Sequence, residues 1–493
     1  MRFVLALSLA LSACTLPEAN KVSGGGGVGG SGAATTGGTG ATATGGGCAG
    51  GNAAAAGAGG TGGNAAAAGA GGAGGTGSGG SGGTGGSGAA GGMAGNGGAG
   101  GSGATGGVGG GLPEIPADGR TLFAGNGTGT ACATKLSEGA TYCWGLNALY
   151  QTGAGTNSPD MVPSPVKVTG VPGTHRYAAV TGNTTCVLSS VGKVSCFGAN
   201  SHGEIGNGTQ NEEVPCDIYK CVKTPFTTFA SGAHQLSASG WWCGGLHFCA
   251  RVGGTVSCWG DLGGCNGSMN MPSPAAVAGI TDAAHLVSGI GTDCVLRTDG
   301  TVWCWGTNIN GQLGQGDFAA YSVPVKVKGL TGVTALGMGT ETLCAQATEG
   351  LRCWGTNLNG QTGTGSFGSA LSTPTLVKDT PGLTDAKVIQ IAGAHEAMCA
   401  LTNAGKVFCW GRSDFGLMGN GSFTFSTCTN ACSPVPVQTS VSDAVELAVG
   451  GSFAVARRQS GALVAWGDDG AGQLGNGIPF AKSASPVPVA GFP

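Results

Sequence analysis

A phrase built from two cysteines, an aromatic residue and a glycine recurs along this chain and restricts its possible folds more than any other feature. Its clearest copy, CVLRTDGTVWCWGTNINGQLGQGD, occupies residues 294–317. Copies follow at 344 (CAQATEGLRCWGTNLNGQTGTGS) and 399 (CALTNAGKVFCWGRSDFGLMGNGS), and another stands at 186 (CVLSSVGKVSCFGANSHGEIGNGT). Weaker copies begin at Cys132 and Cys249, and a seventh carries Val455 and Ala465 where the cysteines stand elsewhere. Counted at the aromatic-Gly step (Trp144, Phe197, Trp259, Trp305, Trp354, Trp410, Trp466), the period is roughly 46–62 residues, in or just beyond the range of propellers and other repeat arrays. Units of this kind bury their faces only by stacking on one another.

The spacing inside the phrase says what the unit is. The pairs Cys132/Cys143, Cys186/Cys196, Cys249/Cys258, Cys294/Cys304, Cys344/Cys353 and Cys399/Cys409 are 9, 10 or 11 residues apart. Facing each other across an antiparallel hairpin, such pairs leave turns of about two to four residues, and the intervening residues are rich in Gly, Asp and Asn. Directly opposed Cα atoms lie about 4.5–5.5 Å apart, which a disulfide spans. Each pair is therefore expected to staple its own hairpin. Of the twenty cysteines, Cys14 and Cys48 stand apart, and Cys216, Cys221, Cys243, Cys265, Cys428 and Cys432 fall where repeats depart from the pattern. A Cys243–Cys265 bridge and local clips Cys216–Cys221 and Cys428–Cys432 are expected among them. Structural zinc is disfavoured, because no histidine follows the closely spaced cysteines at ligand distance.

Each hairpin is flanked by two more strand signals: an apolar stretch before it, such as VIQIAG (388–393), and a Pro-containing stretch after it, such as VPVKV (323–327). Four short strands per repeat, with Pro suited to the outer edge, make a small antiparallel sheet. Seven such sheets in series pack radially as a β-propeller. The expected fold is all-β, a seven-bladed β-propeller of four-stranded antiparallel blades over residues 112–493. The phrase also resembles that of the regulator of chromosome condensation repeat family, W-G-x-N-x-x-G-Q-L-G. It is matched literally at Trp305-Gly306-Thr307-Asn308 with Gly311-Gln312-Leu313-Gly314, nearly at 354–363, and partly at 197–206, 410–419 and 466–475. That resemblance implies the same seven-bladed propeller. The third repeat lacks the phrase and the first blurs it, and nothing marks the wedge with which nuclear members exchange nucleotide on a GTPase.

The N-terminal region reads differently. MRFVLALSLALSACT has one basic residue, an apolar run and a Leu11-Ser12-Ala13-Cys14 step that resembles a bacterial lipobox. The expectation is a signal peptide over 1–13, lipidation at Cys14 and a lipid-anchored N-terminus over 14–22. Residues 23–111 are almost wholly Gly, Ala, Ser and Thr, too poor in apolar surface to offset the entropy of ordering. They read as a disordered tether with an r.m.s. span of roughly 50 Å. The expected location is the cell envelope, as an outer-membrane lipoprotein facing outward, with the lipid as its sole membrane attachment.

Charged residues make up 9% of the chain, net charge is −3 and no basic run occurs, which argues against nucleic acid. His175, His202, His234, His247, His285 and His395 have no ligand-like spacing, and Asp261, Asp282, Asp293, Asp299, Asp414 and Glu446 share no register. No catalytic constellation, metal or cofactor is implied, and the protein is expected to be a monomeric non-enzyme. Asn308, Gln312, Asn357, Gln361 and Gln473 read first as turn residues bonded to backbone. The strands of a blade alternate in direction, so the 1–2 and 3–4 connections share one face. SASGWWCGGLHFC (237–249), QNEEVPCDIYKC (210–221) and FTFSTCTNAC (423–432) all enlarge connections on that face. Trp241, Trp242, Tyr219, Phe423 and Phe425 supply aromatic contact area there. These features favour a surface-displayed module binding a protein or glycan, over a polysaccharide hydrolase or lyase, and over a structural envelope component. For Trp241 and Trp242, plugging the weakened third blade is the competing role.

Overall fold

The computed structural model describes residues 121–125, 129–156, 159–210, 214–216, 219–229, 231–241, 244–263, 269–423 and 431–492. The signal peptide, Cys14, Cys48, the Gly-rich linker, Trp242, Cys243, Cys265, Phe425 and Cys428 lie outside the described residues, as do the side chains of Cys216, Tyr219 and Trp241.

The described chain is all strand and turn, and its strands form seven sheets in sequence order. Blades 1 to 7 span residues 122–167, 175–229, 233–276, 283–326, 335–376, 388–438 and 444–488. Six blades have four strands joined antiparallel in chain order. Blade 2 has five: Val214–Cys216 pairs with Tyr219–Phe229 as an extra outermost strand. The first strand of each blade faces the axis, where Leu122, Tyr177, Leu236, Leu286, Met338, Ile391 and Leu447 surround a cavity of only about 110 Å³. Pro-containing strands such as Tyr321–Lys326 and Ser483–Pro488 are outermost, where a missing N–H costs no ladder bond.

The second and third strands of each blade carry the cysteines in direct register. Cys132–Cys143, Cys186–Cys196, Cys249–Cys258, Cys294–Cys304, Cys344–Cys353 and Cys399–Cys409 are disulfides with Cα atoms 4.0–4.1 Å apart. In blade 7, Val455 faces Ala465 at the same register.

Every blade-to-blade interface holds an apolar cluster that contains the aromatic of one aromatic-Gly step, and the blade 1–2 junction adds a small second cluster of Leu149, Tyr150, Ala199 and Cys221. Trp144 sits between blades 7 and 1, Phe197 between 1 and 2, Trp259 between 2 and 3, and Trp305 between 3 and 4. Trp354, Trp410 and Trp466 fill the remaining three. The glycine after each aromatic turns the strand sharply beside its neighbour. Gly306 has φ of 107°, and a Cβ there would lie 2.1 Å from the Gly291 carbonyl oxygen, so only glycine fits.

Side chains stitch the inner strands together as well. A bulge near the start of each of four first strands aims Tyr177, Gln235, Gln390 and Glu446 at the next blade. Tyr177 donates to the Leu236 carbonyl (3.1 Å), and Gln235 donates to the Leu286 carbonyl (2.8 Å) while accepting its N–H (3.1 Å). Gln390 does the same with Leu447 (2.5 and 3.0 Å), and Glu446 accepts the Leu122 N–H (2.8 Å). The last pair joins blade 7 to blade 1, so the ring closes by the kind of contact used at three of its other junctions.

Replacing Cys294 and Cys304 together by Ala is expected to lower stability by up to about 3 kcal/mol, the loop-closure value for a hairpin of this size. The double change Val455→Cys, Ala465→Cys is expected to form a seventh intrablade bridge. Non-reducing peptide mapping and denaturant unfolding check both, and a link between different blades would contradict the register.

Candidate functional site

The alternation of strands separates the connections into two classes. On one face the 2–3 turns are two or four residues long in every blade. On the other face the 3–4 connections are eight residues or longer in every blade. The face of the 3–4 connections thus carries most of the variable material, although the link from blade 5 to blade 6 on the first face, residues 377–387, is also long.

Its regular loops are built from the inside. In blade 4, Asn308 Oδ1 accepts the Leu313 N–H (2.8 Å) and Gln312 Oε1 accepts the Asn310 N–H (2.9 Å). Asn357 and Gln361 repeat this in blade 5 (3.1 and 2.7 Å), and Gln473 accepts from Ala471 in blade 7 (2.7 Å). All five side chains are buried, so they shape the loop and are not presented to a ligand. The closed loop then offers a carbonyl to the next blade's tryptophan. Trp354 Nε1 donates to Gln312 O (2.9 Å), Trp410 to Gln361 O (2.7 Å), Trp466 to Leu417 O (2.9 Å), Trp144 to Gln473 O (2.9 Å) and Trp259 to Glu204 O (2.9 Å). Neighbouring loops are tied again at the surface, where Asn310 donates to Glu341 (2.9 Å) and Asn359 to Glu396 (3.0 Å).

The insertions differ from the loops expected of them. Residues 237–249 lengthen strands: Ala233–Trp241 and Gly244–Val252 are nine residues each, and Trp241 pairs with Gly244. Residues 210–221 supply the fifth strand of blade 2, so this insertion lies along the sheet's outer edge. Cys221 and Cys432 are each disulfide-bonded. Phe423 is partly exposed on the 3–4 connection of blade 6, with Lys482 Nζ 5.2 Å from its ring centre.

The six acids do not converge. Asp282 pairs with Arg297 (2.5 Å), Asp299 caps a turn at Thr301 (2.6 Å), Asp414 grips Arg412 (2.8 Å), and Glu446 serves the blade 7 to 1 junction. Asp261 accepts the N–H groups of Gly245 (3.0 Å), Gly263 (3.0 Å) and Met269 (3.2 Å), organising the connection of the blade that lacks the regular loop phrase.

Asp293 takes part in a pairing that the spacing of residues did not reveal. His247 is wholly buried in blade 3, its Nδ1 2.8 Å from the Gly245 carbonyl and its Nε2 2.9 Å from Asp293 Oδ1 in blade 4. With both ring nitrogens facing acceptors, the ring is held as imidazolium. Burial works to lower its pKa, but the Asp293 charge and hydrogen bond, with the Gly245 carbonyl, raise it above the usual 6.5. Cys249 Sγ completes a trio with ligand atoms within 4.8 Å, but that sulfur is bonded to Cys258, leaving two free donors and no thiolate. The clue lay in register. Two residues before the first cysteine stands Thr130, Thr184, Thr292 or Thr342 in four copies, each bonded to the carbonyl that follows its third strand or ends it (2.7–3.0 Å). The third copy has His247 there.

Because the folded-state pKa of His247 is raised, its contribution to stability is complete below the unfolded value and is lost as pH rises through the folded one. His247→Gln is expected to cost about 3–5 kcal/mol at about pH 6, by leaving Asp293 buried without its counter-charge. The gap between wild type and variant should narrow as pH rises above the usual histidine value and the ring loses its proton. Urea unfolding across that range checks this; a constant gap would contradict the charged pair.

The fold and loops define a repeat propeller whose blades lock through an aromatic-Gly step. Comparison with known proteins agrees. The family model for the regulator of chromosome condensation (RCC1) repeat matches residues 299–345 and 404–457, which supports the family resemblance. The chain is 27% identical over 350 residues to E3 ubiquitin-protein ligase HERC2 of Homo sapiens, covering 68% of this chain and 7% of that protein. It is 27% identical over 290 residues to the ultraviolet-B receptor UVR8 of Arabidopsis thaliana, covering 57% of this chain and 62% of that protein. The chain therefore spans a small fraction of HERC2 and under two thirds of UVR8. Among solved structures it is similar to one of Kap60 bound to yeast RCC1 (Prp20), with TM-score 0.61 and 20% identity over 75% of this chain and 85% of that one. Human WBSCR16 gives TM-score 0.58 and 19% identity over 71% and 94%. At these identities the structural likeness speaks for the fold.

Proposed function

We propose that the protein is an exported, lipid-anchored binding module whose propeller recognises a protein through the face of long connections. The observation that carries this reading is that all seven 3–4 connections, each eight residues or longer, open on one face of a disulfide-clamped ring whose hairpin turns on the other face are two or four residues long. The similar propellers point the same way: the solved structure of Prp20p from Saccharomyces cerevisiae is described with its binding properties to Gsp1p and histones. The LSAC step at 11–14 and the Gly-rich composition of the stretch after it support membrane tethering and outward display. A polysaccharide hydrolase or lyase would need paired carboxylates near the axis. Among the described residues the inner strands instead surround their cavity mainly with apolar side chains.

Two measurements test the reading. Globomycin treatment or Cys14→Ala is expected to move the protein from the membrane fraction to the soluble one; unchanged fractionation would remove the anchor. Full-length protein on beads is expected to retain a specific envelope or extracellular protein, and Trp241→Ala with Trp242→Ala to lose it at unchanged melting temperature, since a central aromatic anchor commonly contributes ~2 kcal/mol or more. A large fall in melting temperature would return these residues to the packing of blade 3.

A further inference from the structure

The same face carries a second feature, away from the insertions. Phe318, Phe367 and Phe423 each stand thirteen residues after their blade's tryptophan, and Phe480 stands fourteen after Trp466. Their exposures are 55%, 45%, 36% and 61%. The four occupy corresponding places on the 3–4 connections of blades 4, 5, 6 and 7, and so follow one arc of the ring. Exposed Ile309, Leu358 and Ile478 lie on the same connections. In blades 2 and 3 the position thirteen residues on holds Gln210 and Pro272. Phe480 is also one of two non-glycine residues with positive φ (68°) among the described residues, a conformation that an exposed bulky side chain does not favour by itself.

The arc is acidic. The connections of these four blades on this face, with the strand ends beside them, carry Asp317, Glu341, Glu396, Asp414, Asp468 and Asp469 against Arg412 and Lys482. Arg412 is occupied by Glu396 and Asp414. Asp317, Glu341 and Asp468 have no ion-pair partner among the described residues, while Asp469 is wholly buried and accepts the Leu474 N–H (2.9 Å) inside its loop. Burial raises the pKa of Glu341, raises that of Asp468 against the pull of Lys482, and holds Asp469 at about 6.

We propose that this arc docks a polypeptide segment combining apolar and basic side chains, an inference that rests on the loop-face reading above and names its partner's chemistry. Polysaccharide fits less well: Ile309, Leu358 and Ile478 offer no ring to stack on a sugar, and phenylalanine has no polar edge. A second copy docking arc to arc would set carboxylates against carboxylates.

The test uses the full chain with two labelled peptides, one alternating Leu and Lys and one alternating Leu and Glu, followed by fluorescence anisotropy. The Leu/Lys peptide is expected to bind in a salt-sensitive way and the Leu/Glu peptide not at all. Phe318→Ser with Phe480→Ser is expected to weaken binding by at least about tenfold at unchanged melting temperature. Asp317→Asn with Asp468→Asn keeps the phenylalanines and is expected to flatten the salt dependence. Trp241→Ala with Trp242→Ala, and Leu136→Ser with Val191→Ser on the opposite face, should leave peptide affinity within about twofold, since a surface change away from the site has little effect. Equal binding by the Phe variant, binding of both peptides, or a polysaccharide whose retention needs Phe318 and Phe480 would overturn the proposal. Envelope-protein retention lost only in the Trp variant would sink the arc while leaving the loop-face reading intact; loss only in the Leu136 and Val191 variant would sink both.

Discussion

In five of the seven blades an indole is inserted into the loop of the blade before it, and this is the contact on which the ring most depends. It joins three requirements in one place. The aromatic fills the apolar cluster between two sheets, its N–H is satisfied by a carbonyl of the preceding loop, and the glycine after it lets the strand turn against neighbouring backbone. A buried indole without that carbonyl would leave a polar group unpaired in an apolar seam, at a cost of about 1–3 kcal/mol. The loop must therefore present its carbonyl outward, and the buried Asn and Gln hold it in that shape. Local loop structure and long-range packing are one constraint seen from two blades.

Disulfides and interblade contacts divide the work. The bridges join strands already adjacent in a hairpin and restrict the unfolded chain within each blade. Blade 7 has Val455 facing Ala465 instead and still joins blade 1 through Trp144 and Glu446. Cohesion of the ring comes from aromatics and inner-strand side chains, which leaves the outer ends of the long connections free to carry exposed groups. Blade 3 shows how a departure is accommodated: where the loop phrase is lost, Asp261 organises the connection and the His247–Asp293 pair ties blade 3 to blade 4.

Several features were legible because they depend on spacing along the chain. A cysteine pair 9 to 11 residues apart around a turn has one antiparallel register available, and the structure adopts it in each of the six pairs. The roles of Asn308 and Gln312 follow from bonds five and two residues apart. The insertions were harder. Residues 237–249 and 210–221 read as enlarged loops, yet both form strands, because strand pairing satisfies backbone groups that a long loop would leave to water.

What the sequence by itself determined is the repeat: seven units, their strands, the hairpin staples and the face to which the long connections belong. Each follows from local spacing and from the alternation of strand direction. What only the tertiary structure decided is which residues meet between units. His247 and Asp293 are 46 residues apart, and Glu446 lies 324 residues from Leu122. Phe318, Phe367, Phe423 and Phe480 are scattered along the sequence as ordinary loop residues until ring geometry sets them on one arc. Neighbours across a blade interface are chosen by the rotation that relates one sheet to the next, and that rotation has no counterpart in the order of residues within a single repeat.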